Sequence, residues 1–75
     1  MSLDPLYWEA SYAIARALVN QHPVVDLTEV SLEMTYQWVI ALDNFADDPA
    51  LATDDILFDI YQNWLEEVLE ADTNE

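Results

Sequence analysis

The chain has 75 residues, 53% of them apolar and 12% aromatic, and carries a formal net charge of −15. That is one small domain over 1–75, too rich in aromatic and branched apolar residues for a disordered acidic tail and too negative to bind nucleic acid or an anionic membrane. The absence of cysteine excludes disulfides and thiolate chemistry.

Asp4-Pro5 reads as a helix opening, with Asp capping the free amides and Pro at the first helical position. From there Tyr7, Ser11, Ile14 and Leu18 recur at helical spacing, and Trp8, Tyr12, Ala15 and Val19 follow one residue on. This predicts an amphipathic helix that ends before Pro23. Asp26–Glu29 suits a short helical turn, and Val30-Ser31-Leu32 a brief extended piece. A second helix is expected from about Glu33 to Leu42, with Met34, Trp38 and Leu42 spaced by four and Phe45 folding back after it. The last helix should start at Thr53 as N-cap, with Asp54 and Asp55 favourable for its dipole. Leu57, Tyr61, Trp64 and Val68 give it a strong apolar stripe, and its acidic end should loosen from about Glu70. The fold class is therefore mainly α, three to four helices with little or no sheet. The expected core includes Trp8, Leu18, Trp38, Leu42, Phe45, Ile60 and Trp64. With no glycine in the chain, any turn needing positive φ falls to Asn20 or Asn44.

The start of the chain has neither a basic segment nor an apolar run, so no signal peptide is expected, and no stretch reaches the ~20 apolar residues of a membrane span. A cytoplasmic protein is expected.

The connection between the second and last helices concentrates the charge. Asp43, Asp47 and Asp48 lie on it, and Asp54 and Asp55 open the helix beyond. Carboxylates this close repel one another and become favourable when a cation or a basic surface arrives. Asp43, Asp47 and Asp48 suit weak binding of a hard divalent cation such as Fe²⁺, Mg²⁺ or Ca²⁺, the alternative being a solvated loop. The ligand alternation and central glycine of an EF-hand are missing, so no tightly bound cofactor is expected. His22 beside Pro23 reads as a surface group or a helix-end charge. Catalysis is not expected, because a few short helices seldom enclose a pocket that sets carboxylate pKa values apart.

The chain resembles the IscX family, small acidic proteins of bacterial iron–sulfur cluster assembly, without a gap from about Leu6 to Glu67. The resemblance rests on Trp8, Ala17-Leu18, Pro23, Asp26, Gln37-Trp38, Leu42, Phe45, Asp47-Asp48-Pro49, Ile56-Leu57, Ile60 and Trp64-Leu65. It implies a modified winged-helix-like fold and an adaptor or regulator of the cysteine desulfurase, docking on a basic region that overlaps the frataxin surface, with weak iron binding. Asp43, Asp47, Asp48, Asp54 and Asp55 are the expected partner-binding residues, with Trp38 holding their loop from within. An acidic mimic of nucleic acid acting on some other basic protein is the alternative. The chain departs from the family in its first helix, where Ala10, Ala13, Arg16 and Asn20 stand in place of carboxylates, leaving 11 of its 16 acidic residues from Asp43 onward. Self-association through that less polar helix also fits.

Overall fold

Three helices carry the chain in the computed structural model, which describes residues 4–73 in backbone and 4–70 in side chains. They are α1 (Ser11–Gln21), α2 (Leu32–Ile40) and α3 (Asp54–Thr73), with single 3₁₀ turns at Leu27–Glu29 and Pro49–Leu51. Among the described residues there is no strand, and β-type pairing is limited to one isolated parallel bridge between Leu6 and Phe45. The helical class holds; a wing is not displayed.

The largest departure from expectation is at the start. Residues 5–9 are not helical, and α1 begins at Ser11 after Ala10, which offers no side-chain cap. The amide of Leu6 instead donates to the Asn44 carbonyl at 2.9 Å, and the Leu6 carbonyl accepts from the Ala46 amide at 2.9 Å. Asn44 Nδ2 donates to the Asp4 carbonyl at 2.8 Å. Long-range bonds and the burial of Leu6 and Trp8 outcompete a local Asp-Pro opening, so this segment is a strap laid along the connection between α2 and α3. Asn44 ties the strap rather than adopting positive φ, and no described residue has positive φ. The turn after α2 closes through successive i to i+3 bonds, Leu42 to Val39 and Phe45 to Leu42, both 3.1 Å. That geometry asks for no left-handed residue.

The other boundaries follow local chemistry. α1 ends where the His22 amide bonds the Leu18 carbonyl at 2.8 Å, directly before Pro23. Asp26 caps the first 3₁₀ turn by accepting from the Thr28 amide and hydroxyl at 3.0 and 2.6 Å. Val30 and Ser31 do have extended dihedrals, but no strand forms, because Ser31 is the N-cap of α2 and accepts from the Met34 amide at 3.1 Å. α3 starts as expected, with the Ile56 amide donating to Thr53 Oγ1 at 3.2 Å. Its backbone stays helical through Thr73. The expected loosening from about Glu70 falls partly on residues 74 and 75, which lie outside the described residues.

α1 packs chiefly on α3, and α2 closes the bundle. Ile14, Ala15 and Leu18 of α1 meet Leu57, Ile60 and Trp64 of α3, with Val39 and Leu42 from α2 and its end. The buried register of α2 is Thr35 and Val39, one residue on from the expected Met34 and Trp38. Thr35 is tolerated there because its hydroxyl donates to the Ser31 carbonyl at 3.0 Å. Trp38 and Phe45 are only partly buried and pack against the core from its edge. His22 is not a free surface group, since its ring stacks on Trp38 at 4.3 Å and 17°. The indole N–H of fully buried Trp64 meets no acceptor among the described residues. An aromatic side chain buries 150–250 Å², about 4–6 kcal/mol of apolar burial, which exceeds the ~1–3 kcal/mol cost of the orphaned donor.

One carboxylate ties this fold to pH. The Thr28 hydroxyl, and secondarily its amide, hold Asp26 below the usual carboxylate range. Because its folded pKa is depressed, its contribution is present above the unfolded value and is lost as pH falls through the lowered one. Asp26→Asn is expected to lower the melting temperature at neutral pH, with the difference from the parent shrinking in acid. A difference constant from neutral pH to pH 2 would show that this bond carries none of the acid sensitivity.

Candidate functional site

The acidic connection is built around Trp8. Its backbone amide donates to Asp47 Oδ2 at 3.0 Å, and its indole Nε1 donates to the Asp48 carbonyl at 2.8 Å. Its ring lies edge-on to Phe45 at 4.8 Å and parallel to Tyr36 at 6.2 Å, so one side chain joins strap, loop and α2. The residue that holds the loop is thus Trp8, not Trp38, whose ring faces His22 and Trp64. A tryptophan at helical spacing from Ala15 gives no local sign of this; the signal was Pro5, whose fixed φ also suits an extended strap.

The five aspartates separate into two kinds. Asp47 has both carboxylate oxygens engaged, Oδ2 by Trp8 and Oδ1 by the Asp48 amide at 2.8 Å. Asp48 Oδ1 accepts from the Ala50 amide at 3.0 Å and caps the second 3₁₀ turn. These two carboxylates organise the connection before any partner arrives. Asp43, Asp54 and Asp55 are exposed. Asp43 lines a recess of about 220 Å³ with Ala17 and Asn20 of α1, whereas Asp54 lines another beside Glu33 and Tyr36 of α2. The five are not drawn to one point.

This bears on the expected cation site. Among the described residues no group of three or more acidic or histidine side chains is arranged to hold a metal ion, so Asp43, Asp47 and Asp48 do not form such a centre. Two of the three already serve as acceptors for backbone amides.

The sole lysine or arginine side chain is engaged on α1 itself. Arg16 donates to the Tyr12 hydroxyl at 3.5 Å, its guanidinium carbon 6.0 Å from the centre of that ring. Its pKa is raised chiefly by that hydroxyl and also by Glu67. Arg16 therefore offers the aspartates no neutralising partner, and their field stays open to solvent.

A family model described as iron-sulphur cluster assembly matches residues 6–69, nearly the whole chain and including both strap and connection. The chain is a member of the IscX family. Membership assigns this IscX-family protein a role in iron–sulfur cluster assembly, and so an interaction with the assembly machinery, in a family of accessory proteins rather than a known enzyme class. No helix among the described residues is long and apolar enough to cross a membrane.

Proposed function

We propose that this protein is a cytoplasmic, non-catalytic adaptor of iron–sulfur cluster assembly that docks its acidic connection onto a basic surface of the cysteine desulfurase. The supporting observation is the charge, sixteen acidic groups against one arginine, with Asp43, Asp54 and Asp55 exposed around a connection that Trp8, Asp47 and Asp48 hold in shape. A preordered loop with unpaired carboxylates suits a cationic partner, because little side-chain or loop ordering remains to be done on binding. Ferrous and other divalent ions associate with this protein through its overall negative field, weakly and without selectivity.

Long-range attraction of this kind speeds association and weakens with salt, since screening acts over ~8–10 Å. Replacing Asp43, Asp54 and Asp55 together by asparagine removes three negative charges without touching a bond of the strap. The triple variant is expected to associate with the purified desulfurase of the same organism on the order of ten-fold more slowly at low salt, and to lose much of the salt dependence. Unchanged association kinetics would rule out these aspartates as the steering surface. No binding by the parent at low salt would rule out the desulfurase as partner.

A further inference from the structure

Two openings lie between α2 and α3, the first of mixed polar and apolar lining and the second mainly apolar. One, of about 340 Å³, is walled by Leu32, Tyr36, Pro49, Ala52 and Leu57 with Glu33 and Asp54 at its rim. The other, of about 330 Å³, is formed by Val30, Leu32, Phe58 and Tyr61. Leu32 lines both, and the two openings together form the furrow considered for docking, along the start of α2 and the first half of α3. Phe58 stands 51% exposed on its wall. It falls outside the buried stripe of Leu57, Ile60 and Trp64, so folding leaves about half of this side chain exposed.

Two tyrosines of the furrow are held in place by contacts to other parts of the fold. Tyr61 is fixed by its hydroxyl, which donates to the Leu27 carbonyl at 2.7 Å. Tyr36 is fixed by its stack on Trp8. An opening whose walls are already held loses little entropy on being filled.

Its charge surroundings name the occupant. Asp54 and Asp55 precede Phe58 by four and three residues on one helix, which places both on the same face one turn back. Glu33 rims the other wall. A second copy of this chain is a poor occupant, because it brings the same −15 and a single arginine. An anionic surface is repelled in the same way. We infer that the furrow receives a basic amphipathic segment of a partner protein, one large apolar side chain seated among Val30, Leu32, Phe58 and Tyr61 with lysine or arginine on either side. The inference goes beyond the docking of the aspartates proposed above: there the carboxylates set the rate of encounter, whereas the furrow sets how long the complex lasts. Apolar contact is not screened, so this part of the affinity survives at high salt.

The test is an NMR titration of the full chain with a synthetic amphipathic peptide of lysine and leucine, at low salt and at 0.5 M NaCl, where the screening length falls to about 4 Å. The expected result is shifts concentrated at Val30, Leu32, Phe58 and Tyr61, persisting at the higher salt. Phe58→Ala should bind about ten-fold more weakly through faster dissociation, the size expected for losing a half-buried aromatic contact, with an unchanged melting temperature. Val24→Ala, at a residue 96% exposed elsewhere on the surface, should change nothing. Shifts confined to carboxylate-bearing residues, vanishing with salt and indifferent to Phe58→Ala, would overturn the furrow and leave only a polyanion. The desulfurase measurement is separate. Its failure while the peptide still fills the furrow removes that partner and keeps the site, whereas desulfurase binding that is sensitive to the aspartates but not to Phe58 removes the site and keeps the partner.

Discussion

Trp8→Ala is expected to cost about 3–5 kcal/mol, the usual range for emptying a buried tryptophan site. A domain of 75 residues has a total stability of only about 4–11 kcal/mol, so the variant should lose most of its cooperative unfolding transition. The size follows from how much converges on one residue: a ring buried to 3% exposure, the stack on Tyr36, the edge contact with Phe45 and the indole bond to Asp48. Trp8→Phe separates these contributions. It keeps an aromatic ring and the backbone bond to Asp47 but leaves the Asp48 carbonyl without its donor. It should remain folded and lose about 1–3 kcal/mol, seen as a clear drop in melting temperature. Denaturation showing Trp8→Ala to cost under about 1 kcal/mol would mean the strap is ornamental to the fold.

Asp47→Ala should behave quite differently from the same change at Asp54 or Asp55. Removing the Asp47 carboxylate strips the acceptor from the partly buried Trp8 amide and from the Asp48 amide. A stranded donor costs about 1–3 kcal/mol, so Asp47→Ala should destabilise by about that much and speed hydrogen exchange at the Trp8 amide. Asp54→Ala or Asp55→Ala loses at most a favourable dipole contact, about 0.3–1 kcal/mol. Charge reversal at Asp47 would thus weaken partner binding through a disordered connection, not through lost attraction alone. Equal stability among the three variants would return Asp47 to the class of freely solvated carboxylates.

What the sequence displays and what it conceals divides along the distance over which each element is decided. The start of α3 is legible because Thr53, Asp54 and Asp55 act on amides within one turn. The end of α1 is legible because Pro23 acts on its neighbour. The start of α1 is not, since Leu6 and Trp8 are claimed by Asn44, Ala46, Asp47 and Asp48 some forty positions away. The register of α2 lies one residue on from the one its apolar spacing suggests, because Thr35 counts as polar in the sequence while its hydroxyl bonds the Ser31 carbonyl in the fold. At the site, which residues are acidic and near one another in sequence is plain from inspection. That, among the described residues, Asp47 and Asp48 accept bonds from backbone amides while Asp43, Asp54 and Asp55 do not is a matter of partners that composition does not specify. Phe58 left a trace, an aromatic residue off the apolar stripe of its own helix.

The strap also orders events in time. Its bonds to Asp47 and Asp48 span 39 and 40 positions, and closing a loop of that length in an open chain costs about 3 kcal/mol of entropy. Once α3 has docked on α1 the same ends are already near, and the remaining closure is short. Folding should therefore proceed from helix pairing to strap, and the acidic connection should be the last segment to settle and the first to let go.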